Sequence, residues 1–149
     1  MNPVIDLSAQ FAVYHPALLA LAVLSLAVLI QALLTAPLAF ITNEQVPGRP
    51  LVGDHGRRSF RVLRTHANSV ESMPPFGFAL LVAIALSVSP SLVNWLAIIH
   101  VGFRLGFWVV YYIGVGKVAG GPRTLCFIGG MLSNVVLAGA CLYAGLTLF

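Results

Sequence analysis

The sequence predicts an all-α integral membrane protein, an up-down bundle of four helices in a single domain of 149 residues. Three observations carry this expectation. Hydrophobic residues make up 59% of the chain and charged residues 8%, with a mean hydropathy of +0.96, a balance foreign to water-soluble domains. Apolar runs of about 20 residues, the length needed to cross hydrocarbon, recur four times. The eight Lys and Arg residues lie in or near two connections, roughly 43–58 and 116–123, or in helices that meet them. The N-terminal tail, the turn near 87–91 and the C-terminus carry none. The positive-inside rule then puts both basic connections in the cytoplasm and both termini outside, whether the membrane is bacterial or that of the endoplasmic reticulum. Four spans require the two termini to share a side, so charge and helix count agree.

The first span is expected over about 14–40, with Pro16 in its first turn, where a missing N–H costs nothing, and Gln31, Thr35 and Pro37 marking its inner half. Pro47, Gly48, Pro50, Gly53 and Gly56 make the connection Thr42–Gly56 an irregular loop. The second span is expected over 58–87, the third over 91–115 after Pro90, and the fourth over 122–148 after a glycine-rich turn. Gly102-x-x-x-Gly106 and Ala138-Gly139-Ala140 would let helices approach closely.

Several function classes fall away. A net charge of +4 could suggest nucleic acid, but eight basic residues scattered over loops and helix ends make no binding stripe. The first basic residue is Arg49, so the first apolar run lacks the charged leader of a signal peptide and is expected to stay as a span. Cys126 and Cys141 fall fifteen residues apart on one helix, too far to bridge, and read as packing residues; no metal site is expected.

The chemistry concentrates in Arg64-Thr-His66-Ala-Asn68-Ser-Val-Glu71. A helix advances about 100° per residue, so Arg64, Asn68 and Glu71, spaced four and three apart, share a face that Arg57 and Arg61 continue towards water. Charges inside a bilayer cost roughly 2.5–3.5 kcal/mol each on insertion scales, so they face a bundle interior or a wet cleft. The third span adds Arg104, with His100 one turn before it and Tyr111 two turns after it. Glu71 lies thirteen residues past Arg58, about 20 Å along a helix, and Arg104 twelve before Gly116, about 18 Å. Matching depth predicts a Glu71–Arg104 ion pair, which could be purely structural. Arg123 opens the fourth span beside Tyr111. Pro74 and Pro75 withhold donors from the carbonyls of Val70 and Glu71, which then need other partners. Such a cleft suits a small zwitterion richer in negative than positive groups, such as glutathione, and a phosphate headgroup would also satisfy the arginines.

Arg64-x-His66-x-Asn68-x-x-Glu71-x-x-Pro74-x-Phe76, followed by Arg104, Tyr111 and Pro122-Arg123-Thr124, resembles the membrane-associated proteins in eicosanoid and glutathione metabolism, the MAPEG family. The resemblance covers nearly the whole chain. It implies a homotrimer that takes glutathione between subunits near the cytoplasmic face. By it, Arg64, His66, Asn68, Glu71, Arg104 and Thr124 would bind glutathione, while Arg123 and Tyr111 would serve the thiolate. Three features depart from the enzymatic relatives: no Lys or Arg precedes Arg49, Ser72 and Phe107 stand where some relatives carry tyrosines, and the turn between Tyr111 and Arg123 is longer and richer in glycine.

Two readings follow. One is a glutathione-dependent transferase or peroxidase acting on lipophilic small molecules from the bilayer. The other is a catalytically degenerate member that binds lipid or serves as an accessory subunit of a larger membrane complex. An ion or proton pathway fits less well, because the polar residues occupy one half of the membrane only.

Overall fold

The computed structural model describes residues 7–41, 50–117 and 119–147. Five helices follow one another: α1 (Leu7–Ala12), α2 (His15–Ile41), α3 (Arg58–Ala85), α4 (Pro90–Ile113) and α5 (Pro122–Thr147). The four long ones form the expected all-α bundle, and no strand occurs among the described residues. α3 and α4 each pack against both α2 and α5. The larger part of the expected loop 42–56 lies outside the described residues.

The short α1 is an addition to the sequence reading. The chain turns at Val13-Tyr14, and Asn94 of α4 ties that turn down: its Nδ2 donates to the Val13 carbonyl at 2.9 Å, and its Oδ1 accepts from Ala17 N at 3.1 Å. Asn94 therefore caps a helix start whose first N–H groups have no intrahelical partner. Two ends differ from expectation. α3 stops at Ala85, because Ser87 takes a positive φ of 53° and Val88 N bonds back to Ala83 O. α4 stops at Ile113, where Gly114, at φ 78°, forms the left-handed cap that glycine adopts without strain.

α2, α4 and α5 are long and apolar enough to cross a membrane. α3 is as long, at 28 residues, but Arg58, Arg61, Arg64 and Glu71 crowd its first half. Large apolar side chains point outward along the bundle, Leu33 being 74% and Leu146 73% exposed. Water would not tolerate so continuous an apolar surface, whereas lipid solvates it. The chain is a membrane protein.

The core lies towards one end. Tyr14, Ala17, Phe76, Leu80, Ala83, Val93, Ala97 and Leu137 form a buried cluster near the charge-free turn. The Tyr14 hydroxyl closes it by donating to the Val88 carbonyl at 2.6 Å. Cys141 packs there as expected, its thiol donating to the Ala79 carbonyl at 3.1 Å, and both cysteines are free. The close approach of α4 and α5 does not use the pair Gly102/Gly106 as a unit. A Cβ on Gly106 would lie 3.3 Å from Cys126 Sγ, but Gly102 faces open space, as does Gly139. Instead the Phe103 ring lies so near Gly129 that a Cβ there would stand 2.5 Å from it, and Gly130 receives the Arg104 side chain.

Candidate functional site

The periodicity of α3 sets the site. Thr65, Ser69, Phe76 and Leu80 turn into the bundle, which leaves Arg64, Asn68 and Glu71 along the border with α5. Two clefts open on that border. The deeper, of about 290 Å³, is lined by Arg64, Asn68, Glu71, His100, Arg104 and Asn134, with Ser72, Pro75, Phe127 and Met131 among its other walls. The second, of about 250 Å³, lies nearer the basic end and is lined by Arg64, Asn68, Phe107, Tyr111, Arg123, Thr124 and Phe127. Arg64, Asn68 and Phe127 border both, so the two form one groove.

The groove thus gathers Arg64, Asn68, Glu71, Arg104, Tyr111, Arg123 and Thr124. His66 is the exception. Two positions from Arg64 and from Asn68, it is turned some 160° from both and lines neither cleft. Within one chain it is not a groove residue.

The expected Glu71–Arg104 pair is not formed. Arg104, only 4% exposed, donates through one guanidinium nitrogen to Asn68 Oδ1 at 2.7 Å and to the Asn68 carbonyl at 3.1 Å. Asn68 sits one helical turn nearer the basic end than Glu71 and offers two oxygens where Glu71 would offer a costly second ion. Glu71 pairs instead with Arg64 at 3.7 Å, both largely open to the groove. Asn68 therefore acts as a positioning residue for Arg104 as well as a wall of the cleft.

At the basic end side chains of α4 and Arg123 of α5 form an alternating stack. The Arg104 guanidinium lies 5.2 Å from the Phe107 ring centre, Phe107 packs on Tyr111, and the Arg123 guanidinium lies 5.0 Å from the Tyr111 ring. Cations over aromatic faces gain about 0.5–2 kcal/mol. Tyr111 is buried and hydrogen-bonded to His55 Nδ1. His55 was not legible as a site residue. It belongs to the segment before α3, which Arg61 folds down by donating to the carbonyls of His55 and Gly56 at 3.0 and 2.8 Å. Burial foremost, then the charge of Arg123, holds the His55 pKa below its ordinary value, with Asp54 opposing and Arg64 adding to the depression. Thr124 Oγ1 accepts from Gly120 N at 3.1 Å, which leaves its proton free to donate into the groove.

The deep end holds polar atoms without partners. Arg104 Nε, His100 Nε2 and Asn134 Oδ1 are buried and unbonded, and all three residues line the same cleft. His100 stacks on Phe76, with ring centres 4.0 Å apart. Its Nδ1 lies 2.9 Å from the Gly130 carbonyl and 3.3 Å from Ser133 Oγ, whose own proton goes to that carbonyl. Both neighbours are acceptors for the ring, so a single ring proton sits on Nδ1 and Nε2 is an acceptor. One orphaned donor and two orphaned acceptors inside a membrane protein are groups that a bound molecule or water would satisfy. No cluster of metal-ligating side chains occurs among the described residues.

Fold and groove together define a class: helical membrane proteins that open an arginine-rich groove between spans at one membrane face. The chain belongs to the MAPEG family, whose sequence model matches residues 13–143. Comparison with curated proteins finds no significant match. The family includes glutathione transferases and peroxidases among other members.

Proposed function

We propose that the protein is a membrane-bound glutathione-dependent transferase or peroxidase that joins the glutathione thiolate to a lipophilic electrophile or reduces a lipophilic hydroperoxide. The observation that carries this reading is the single groove holding Arg64, Arg104 and Arg123 with one carboxylate, two amides and one phenol. Glutathione has two carboxylates and one ammonium, and the groove offers three guanidiniums and Glu71. The two clefts together reach the size of small-molecule sites, which begin at about 300 Å³. The orphaned Arg104 Nε, His100 Nε2 and Asn134 Oδ1 give the fit further support, since a polar ligand would satisfy them.

Glutathione supplies a thiol whose thiolate form is the nucleophile. The chain's own residues hold and orient it. Arg64 and Arg104 attract carboxylates, while Glu71 attracts the ammonium once Arg64 turns to the ligand. Arg123 and the Tyr111 hydroxyl favour the thiolate over the thiol, and Thr124 offers a further hydroxyl. Phe127, Met131 and Pro75 make an apolar wall on which a lipophilic co-substrate rests. Holding two poorly co-soluble reactants together is itself a large source of rate. In this reading the protein works as a homotrimer, whose neighbours close the open side of the groove.

A second reading has one specific observation in its favour. No Lys or Arg precedes Arg49, so no cation from the first long span is available to a neighbour's groove. A binding or accessory subunit on the same fold would share that feature. Titrating the purified protein with millimolar glutathione, while following thiolate absorbance, separates the two. Thiolate formation that Arg123→Ala removes, with the assembly intact, supports the enzyme. Absence of any binding at that concentration favours the accessory subunit.

A further inference from the structure

A second cavity at the basic end shares no lining residue with the groove. It lies where α2, α3 and α4 meet, is open to the surroundings, and measures about 780 Å³. Its polar lining is Arg58, Arg61, Trp108 and Tyr112, and its apolar lining includes Leu34 and Ile113. Among the described residues no carboxylate borders it and neither arginine is paired with one.

The polar groups on offer are donors. The Tyr112 hydroxyl and Arg61 Nε are buried, and the protons of both have no acceptor, although another nitrogen of Arg61 is held by the His55 and Gly56 carbonyls. Arg58 and Tyr112 border the same opening. Trp108 stands edge-on to Tyr112, with ring centres 5.9 Å apart, and its indole N–H can only donate. α3 begins at this spot, and its N-cap residue Arg57 makes no side-chain cap bond, so the positive end of the helix adds to the field. Two guanidiniums and a phenol around one opening call for an acceptor-rich anion. Leu34 and Ile113 give that anion an apolar extension. Both features match a phosphate carried by an acyl chain.

We propose that this cavity binds the phosphate of an anionic phospholipid at the membrane surface, independently of the glutathione groove. Free phosphate shares the head chemistry but leaves the apolar wall unused. A zwitterionic choline lipid brings the same phosphate with a cation that Arg58 and Arg61 repel.

The test is a titration of the purified full-length protein with phosphatidylglycerol and with phosphatidylcholine of identical chains, read by native mass spectrometry. The expected result is preferential binding of phosphatidylglycerol, weakened roughly thirtyfold in Arg58→Gln/Tyr112→Phe, the product of one surface cation and one hydrogen bond. Arg57→Gln removes an equal charge from an exposed neighbour outside this cavity and should keep the preference. Arg58→Gln alone, also at an exposed position, carries the test if the double variant does not fold. Displacement of the bound lipid by millimolar inorganic phosphate would assign the site to the anion alone, and resistance to it would assign the site to the lipid; either result supports phosphate recognition. Equal binding of the two lipids overturns the proposal. So does a preference that survives Arg58→Gln/Tyr112→Phe, or one lost equally in Arg57→Gln.

Discussion

Replacing Asn68 by alanine should harm the protein more than its half-buried position suggests, because it orphans Arg104. Arg104 is 4% exposed and has its side-chain bond to Asn68 Oδ1 at 2.7 Å. Asn68→Ala keeps the 3.1 Å bond to the Asn68 carbonyl but removes the shorter one. A hydrogen bond to a buried charge contributes about 1.5–3 kcal/mol, and a stranded buried cation adds to the loss. Arg104→Leu deletes the cation and with it the need for an acceptor, so Asn68→Ala should cost little in that background. The double-mutant cycle should therefore return a coupling of about 1.5–3 kcal/mol, read from reversible unfolding in mixed micelles. A coupling below about 0.5 kcal/mol, within the usual error of additivity, would refute the claim that Asn68 holds Arg104 in place.

Three further outcomes are expected. The Arg64–Glu71 pair is open to solvent, with side chains 43% and 61% exposed, so its own cycle should give less than about 1 kcal/mol, although under the proposed function both single variants should weaken glutathione binding. His55 has a folded pKa below its ordinary 6.5, so folding favours the neutral ring. Its contribution to stability is complete above pH ~6.5 and is lost as pH falls through the lowered folded value, and His55→Gln should flatten that acid limb in a melting profile. Gly114→Ala places a side chain in the left-handed region at φ 78° and sets its Cβ 2.9 Å from the Arg61 guanidinium. It should cost about 1–2 kcal/mol in the same unfolding assay and loosen the His55 segment.

The sequence made the spans legible because lipid imposes a simple rule: about 20 apolar residues and charges at the ends. It also made most of the groove legible, since the phase of Arg64, Asn68 and Glu71 follows from helix geometry alone. Resolution failed at the scale of one turn. The depth estimate brought Arg104 level with Glu71, but a turn spans only about 5.4 Å, and an arginine side chain reaches that far to Asn68. His55 was hidden for another reason: its meeting with Tyr111 depends on how Arg61 folds the preceding segment down, and no periodicity encodes that. The Gly102/Gly106 spacing drew attention from Gly129 and Gly130, where α4 in fact presses on α5. Spacing marks which small residues could meet a neighbour, while the partner side chain, here Phe103, decides which one does.

The uneven placement of the packed cluster has a mechanical consequence. Tyr14, Leu80, Val93 and Leu137 rivet the helices together at the turn between α3 and α4, while the opposite ends bury fewer apolar side chains, Phe60, Leu63 and Phe107 among them, and rest more on hydrogen bonds and stacked cations. The bundle is built like tongs, stiff at the pivot and able to spread at the tips. Backbone amide exchange should accordingly be slowest around Leu80 and quicken towards Arg123, so that under the proposed function a co-substrate arriving sideways from the bilayer would part the tips without unfastening the pivot.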